Sequence, residues 1–414
     1  MKDFTLAEIA KACNGEYVGD ESLKNTKITS VERDSRQVKN GSLFLAIKGE
    51  RVDGHDFIEK CFAQGAVCAL CEKAPENATK PCIVVSSTLD AVKKIGRAYR
   101  EKFDIPVIGI SGSVGKTSTK EMLYAVLSQK FKTHKTQGNL NNELGVPLTL
   151  LSMPEDTEAA VIEMGISDFG EMTRLSEMVQ PTICVLTIIG ECHLENLGDR
   201  DGVLKAKTEM FKNARENADF ILNGDDDKLS TVKTVNGKKP VFFGLDAKND
   251  FYAKNIKNSG AGKVLATLCF DNNNIDVEIP AIGTYMVTNA LAAAAAGKLL
   301  GLTDEEIANG VASYKTVGSR ANVINTGKIK IIDDCYNANP TSVRASLDTL
   351  SNLDGRKVAI LGDMKELGSE ELKLHFDTGV YAKSKDIGTV ITVGELAKEL
   401  AKGADGKAFD TIED

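Results

Sequence analysis

Hydrophobic positions in this chain gather into short, nearly unbroken runs separated by amphipathic stretches, and that rhythm sets the first expectation. Pro106 to Ile110, AAVIEMG (159–165), TICVLTIIG (182–190) and ADFILNG (218–224) are apolar runs of strand length. Runs apolar on both faces mark strands covered on both sides, and their alternation with helical stretches predicts βαβ units around a parallel sheet. From about 240 to 280, shorter strands with Asn- and Gly-rich turns are predicted, then a helix from Val287 to Leu300. Beyond Val317-Gly-Ser the strand–loop–helix rhythm returns in KIKIIDDCYNANPTSVRASLDTL, KVAILGDMKELG and GTVITVGELAKEL. The pattern divides the chain into an α/β protein of three parts, residues 1–104, 105–316 and 317–414. No repeat, low-complexity segment or flexible linker separates them.

Composition narrows the function classes. A chain of 414 residues exceeds what one core supports. A net charge of −8 leaves no basic excess to offset phosphate repulsion, which argues against nucleic-acid or anionic-membrane binding. The N-terminal MKDFTLAEIAKACNGEY is an amphipathic helix with interspersed acids, not a signal peptide. The longest apolar run, Ala290 to Ala296, is Ala-rich and too short to span a bilayer. Nine scattered cysteines form no disulfide framework. Only Cys68-Ala-Leu-Cys71 has metal or redox spacing, and it lies inside the apolar run AVCALCE without a second Cys pair or nearby His pair. A buried strand in a reducing, cytoplasmic monomer is the expectation.

Candidate chemistry concentrates at Ile108-Gly-Ile-Ser-Gly-Ser-Val-Gly-Lys-Thr-Ser-Thr119. A buried strand runs into a glycine-rich turn ending in Gly115-Lys116-Thr117, which opens a helix. Backbone N–H groups at such a turn converge on one concavity, and the helix N-terminus adds partial positive charge. Lys116 would reach terminal phosphates and the Thr117 hydroxyl would ligate Mg²⁺. The Gly that a standard phosphate loop carries five residues before its Gly-Lys pair is Ile110 here, so the loop is tighter than in GTPases and kinases. Glu163 ends the next apolar run, where a carboxylate faces the crevice of a parallel sheet and suits a hard cation. His193 follows the third run in an equivalent place, in a chain with four histidines. Lys205 and Lys207 read by pattern as a solvated helix face.

Several segments then carry a resemblance. Gly112-Ser-Val-Gly-Lys-Thr117 resembles the loop of the Mur ligases and folylpolyglutamate synthetase, enzymes that form amides with ATP. Within that family, Thr136-Gln-Gly-Asn-Leu-Asn-Asn-Glu-Leu-Gly-Val-Pro147, Asp333-Asp-Cys-Tyr-Asn-Ala-Asn-Pro340 and Leu361-Gly-Asp-Met-Lys-Glu-Leu-Gly368 resemble one member. It is the ligase that adds D-alanyl-D-alanine to a UDP-N-acetylmuramoyl tripeptide during peptidoglycan synthesis. Asp34-Ser-Arg-Gln-Val-Lys-Asn-Gly-Ser-Leu-Phe44 and Asp53-Gly-His-Asp-Phe57 resemble the UDP-binding domain it shares with the ligase acting one step earlier.

The resemblance implies a UDP-binding α/β domain, a central parallel-sheet ATPase domain and a Rossmann-like third domain. It implies that Gly112, Ser113, Val114, Gly115, Lys116, Thr117 and Ser118 hold the ATP phosphates. Thr117, Glu163 and His193 would surround Mg²⁺, joined by Lys207 if that lysine is carbamylated. Asn289 would contact adenine, although Tyr285-Met286 stands where relatives often carry His. Arg320, just past a hinge at Thr316-Val-Gly318, would reach the γ-phosphate across a domain gap, with Asp334 beside the nucleotide and Asn337 and Asn339 shaping their loop. Ser35, Arg36, Lys48 and His55 would take the UDP end of the muramoyl peptide, and Asn139 and Asn142 would contact it from the Thr136–Pro147 segment. Lys116, His193 and Arg320 would be catalytic. Relatives continue past the position of Asp414 through another helix and strand, so the third domain is expected to be shortened. Two rivals remain at this stage. A related amide ligase predicts an Asp-Asn-Pro-Arg-like motif where Asp334-Cys-Tyr-Asn-Ala-Asn-Pro stands, and a non-ligase nucleotide-binding protein leaves Glu163, His193 and the first domain without a joint purpose.

Overall fold

The computed structural model describes residues 1–258 and 262–414. The chain forms two compact units, and it crosses between them several times. The first comprises Met1–Val107, Lys132–Met164 and Arg174–Pro181; the second comprises Ile108–Phe131, Gly165–Thr173 and Thr182–Asp414.

The first unit is built on a five-stranded sheet in the order Glu16–Val18, Cys82–Val84, Cys68–Cys71, Ser42–Leu45, Ser30–Glu32. All neighbours are parallel except the first pair. Cys68–Cys71 is the central strand, buried throughout with both thiols free, as its unbroken apolar run implied. The N-terminal helix, Leu6–Cys13, begins at a reciprocal cap: the Glu8 N–H donates to Thr5 Oγ1 at 3.2 Å, and the Thr5 N–H donates to the Glu8 carboxylate at 2.8 Å. Helix Thr88–Arg100 ends in a fully buried arginine. Its guanidinium donates to the carbonyls of Phe103 at 2.7 Å and Val179 at 2.9 Å, so backbone oxygens help to solvate the buried charge. A parallel pair, Thr133–Lys135 with Ala159–Glu163, completes what bears on function here.

In the second unit, Val107–Ser111, Ile183–Leu186, Asp219–Asn223 and Val241–Phe243 pair in that order, all parallel. Helix Lys116–Leu127 packs against the Ala-rich helix Tyr285–Leu299 and against Asp304–Ala312. Ala290 to Ala296 are all buried, and methyl side chains on every face let neighbours approach from all sides. The strands expected between 240 and 280 include a three-stranded antiparallel meander, Tyr252–Asn258, Val264–Phe270 and Asn273–Ile279. These are seven residues each, longer than expected.

Residues beyond 317 contain a parallel sheet, Val358–Gly362, Thr389–Val393 and Lys407–Phe409, with helices Pro340–Ser351, Glu371–Ser384 and Ala397–Ala404. One expectation changes here. The strand in KIKIIDD does not open a parallel βα run; Lys330–Asp333 pairs antiparallel with Asn322–Asn325 as a separate hairpin. The turn chemistry decides it: Gly327 has φ +81°, and its N–H donates to Asn325 Oδ1 at 3.0 Å. No helix among the described residues is long and apolar enough to cross a membrane.

Candidate active site

The glycine loop sits at the carboxyl end of Val107–Ser111, held by the neighbouring strand end. The Ser113 N–H donates to the Ile188 carbonyl at 2.7 Å, and Thr187 Oγ1 donates to the Val114 carbonyl at 2.6 Å. Only glycine fits at 112: its φ is +150°, and a Cβ there would lie 1.9 Å from Thr187 Oγ1. Gly115, at φ +83°, turns the chain into the helix that begins at Lys116. Lys116 Nζ folds back to the Gly112 carbonyl at 2.8 Å, and Thr117 opens the helix, nearly buried. The Ser113 hydroxyl accepts from the Gly190 N–H at 2.9 Å, which ties the loop to the segment that leads to His193.

A cavity of ≈ 1650 Å³ opens beside this loop within the second unit. Ser113, Lys116, Cys192 and His193 line one side, and Asp334, Asn337, Asn339 and Glu366 line the other. His193 has a left-handed backbone, φ +52°, and its Nδ1 lies 2.5 Å from the Glu366 carboxylate. Burial, then the Lys207 charge, pull the imidazole below its ordinary basicity, while Glu366 opposes them. Lys207 is not on a solvated face. It is 1% exposed, and burial with the Lys116 charge nearby lowers its ammonium to about 8.

The other predicted residues fall into two kinds. Asn289 is buried at the start of the Ala-rich helix, where Thr119 Oγ1 donates to its Oδ1 at 3.0 Å and its Nδ2 donates to Met286 Sδ at 3.4 Å. Ser118 hydrogen-bonds the Tyr314 phenol, whose pKa burial raises to about 12. Asp334 accepts from the Ala321 N–H at 3.0 Å and from the Ser346 hydroxyl. Asn339 caps helix Pro340–Ser351. Arg320 does not line the cavity; its guanidinium stacks 4.0 Å over the Tyr336 ring.

Glu163, Asn139, Asn142, Ser35, Arg36, Lys48 and His55 belong to the first unit. Glu163 is buried, its carboxylate accepting from Asn141 Nδ2 at 2.8 Å and its N–H donating to Thr136 Oγ1 at 2.9 Å. Asn142 Oδ1 accepts from the Gly145 N–H at 2.8 Å and so starts helix Gly145–Leu151; Asn139 is exposed beside it. The exposed Arg36 pairs with Asp34 at 2.7 Å, which holds that carboxyl down at about 2. His55 accepts from the Glu72 N–H at 2.9 Å and meets Asp53 at 2.6 Å, and Lys48 bridges Asp53 through backbone. Asn141 and Glu366 were missed as individuals, although both stand inside the long segments that carried the resemblance.

A phosphate loop at the carboxyl end of a parallel sheet, facing a second α/β body across a cavity, defines a nucleotide-binding α/β enzyme. Residues 27–111 match the Mur ligase family catalytic domain, 110–297 the Mur ligase middle domain, and 319–414 the Mur ligase glutamate ligase domain. The chain belongs to the Mur ligase family. It is 37% identical to the UDP-N-acetylmuramoyl-tripeptide--D-alanyl-D-alanine ligase of Bacillus subtilis, over 97% of this chain and 87% of that protein. The crystal structure of MurF from Acinetobacter baumannii is 34% identical, with a TM-score of 0.92 over 99% of this chain and 90% of that one. The MurF ligase of Thermotoga maritima in complex with ADP is 31% identical, with a TM-score of 0.81 over 90% and 86%.

Proposed function

We propose that this enzyme joins D-alanyl-D-alanine to a UDP-N-acetylmuramoyl tripeptide in the cytoplasm, with ATP. The observation that carries the reading is its 37% identity to a ligase of that name along 97% of the chain, phosphate loop included.

A carboxylate is a poor acyl donor because its oxygen leaves badly. Its terminal oxygen therefore attacks the γ-phosphorus of ATP, ADP departs, and an acyl phosphate forms. The free amine of D-alanyl-D-alanine then adds to the acyl carbon, and inorganic phosphate leaves from the tetrahedral adduct while the amine loses its proton. Such transfers need positioning and charge neutralisation more than a protein nucleophile. Lys116 and the backbone N–H groups of Gly112–Ser118 suit the phosphates, and Arg320 supplies a planar donor fork from beyond the Gly318 hinge. Asn289 and Asp334 are assigned to the nucleotide, and Ser35, Arg36, Lys48, His55, Asn139 and Asn142 to the muramoyl peptide.

The donor chemistry fits Mg²⁺. Mg²⁺ is a hard cation held by one or two carboxylates together with substrate phosphate oxygens and water, and Glu163 supplies a carboxylate, and Thr117 a hydroxyl oxygen, to that donor set. Thr117, Glu163 and His193 would hold it, and it would neutralise charge on the transferring phosphoryl group. Lys207 suits carbamylation, since an amine of pKa about 8 is partly neutral at physiological pH and the neutral form adds carbon dioxide.

The test is phosphate release with each substrate withheld in turn. Release should need ATP and the tripeptide, and steady turnover should also need D-alanyl-D-alanine. Equal hydrolysis of ATP without either peptide substrate overturns the reading.

A further inference from the structure

We propose that Glu366 is a positioning residue for His193, so that docking of the segment Leu361–Gly368 completes the metal-binding imidazole. The inference rests on the assignment of His193 to Mg²⁺ above. It begins with one contact: the Glu366 carboxylate lies 2.5 Å from Nδ1 of a histidine 173 residues away. A carboxylate only accepts, so Nδ1 carries the proton, and in the neutral ring this leaves the lone pair on Nε2. Nε2 makes no hydrogen bond to the described residues, and His193 lines the cavity with Lys116. Carboxylate on one ring nitrogen and ligand on the other is the arrangement by which outer-shell acids fix the tautomer and ring plane of metal-binding histidines.

Backbone geometry supports a built contact rather than a chance meeting of side chains. Both partners adopt left-handed backbone, His193 at φ +52° and Glu366 at φ +63°, which costs free energy unless the surroundings enforce it. The surroundings do. The Glu195 N–H donates to the Glu366 carbonyl at 3.3 Å, and Gly368 packs on Glu195 so closely that a Cβ would sit 3.2 Å from its Cα. Thr341 Oγ1 donates at 2.7 Å to the carboxylate of Glu191, two residues before His193.

The glutamate's own loop is fixed from behind. His375, fully buried, accepts the Met364 N–H at Nε2 (2.9 Å) and meets the Glu371 carbonyl through Nδ1 (2.7 Å). Asp363 Oδ1 accepts from the Ala397 N–H at 2.8 Å. With a neutral ring the contact is a single, partly exposed hydrogen bond that contributes little stability, so it is explained by orientation and not by strength.

The experiment compares the full chain with its Glu366→Ala, Glu366→Gln and His193→Ala variants. Mn²⁺ binding in the presence of ADP is followed by electron paramagnetic resonance, and the His193 ring by ¹⁵N NMR. The expected result is a protonated Nδ1 on His193 in the unaltered protein. Mn²⁺ affinity should fall about tenfold or more in Glu366→Ala and be largely kept in Glu366→Gln, whose amide oxygen still accepts. Melting temperatures should stay together. If His193→Ala weakens Mn²⁺ binding while Glu366→Ala does not, the positioning role is wrong and the metal assignment stands. If His193→Ala leaves Mn²⁺ binding unchanged, the metal assignment falls, and this proposal with it. A protonated Nε2 on His193 in the unaltered protein also overturns it.

Discussion

Lys207 is a cation with almost no water around it, and its protonation is linked to stability. The ordinary lysine value is near 10.5, and burial lowers it to about 8 in the folded protein. Between those values the unfolded chain binds the extra proton, so stability rises with pH through that window. Below pH 8 the folded protein bears the full cost of the buried ammonium, on the order of 3 kcal/mol. In carbonate-free buffer, Lys207→Met should therefore melt higher than the unaltered protein at pH 7, with the gap narrowing from pH 8 towards 10.5; in bicarbonate buffer it should have far lower turnover than the unaltered protein. A lower melting temperature at pH 7 would mean that the ammonium is held by partners and not merely buried. The sequence placed this lysine on a wet helix face because its neighbours Lys205 and Glu209 are polar, and burial imposed by tertiary packing leaves no local mark. The Glu366 contact was illegible for a related reason: nothing in either segment names a partner 173 residues distant. The placement of Lys116 and Thr117 at a helix start was legible because one short stretch encodes strand, turn and helix start together.

At the scale of elements, helices Asp304–Ala312 and Lys116–Leu127 pack closely at a glycine. A Cβ on Gly310 would lie 2.4 Å from Val126 Cα, a backbone atom that cannot step aside. Gly310→Ala should gain helix propensity yet lose stability by roughly 1–3 kcal/mol through overpacking. Chemical denaturation checks it: a midpoint equal to or above that of the unaltered protein would show that the two helices can separate at little cost. Strands buried on both faces, such as Cys68–Cys71 and Ile183–Leu186, announce themselves as unbroken apolar runs. The hairpin Asn322–Asn325 with Lys330–Asp333 does not, because its side chains are mostly exposed and neither strand alternates. Its pairing is set by the Asn325–Gly327 turn, which a hydrophobicity reading passes over.

At the scale of the molecule, Arg320 is the residue that the proposed reaction draws from the third part. Its guanidinium rests on Tyr336, which lines the cavity although Arg320 itself does not, and it lies two residues past Gly318, whose φ is +65° with open space around it. Small backbone rotations at such a glycine would swing the fork towards a γ-phosphate. Arg320→Lys keeps the charge and loses the fork, so turnover should fall about ten- to a hundredfold, a loss of about 1.4–2.8 kcal/mol of transition-state stabilisation. ATP affinity should change by no more than about twofold. Parallel collapse of affinity and turnover would place Arg320 on the nucleotide before closure and end the hinge account.

The Ala-rich helix has a consequence for how the enzyme is made. The helix that follows the phosphate loop is bonded through Thr119 to Asn289, 170 residues further along. As the chain emerges from a ribosome at about 5–20 residues per second, that first helix waits on the order of ten to thirty seconds for its partner. Through that interval its apolar residues, Val126 beside Gly297 among them, have no Ala-rich surface to cover them. The nascent chain thus has a defined period of vulnerability, in which chaperone capture or premature release would decide the yield of active enzyme.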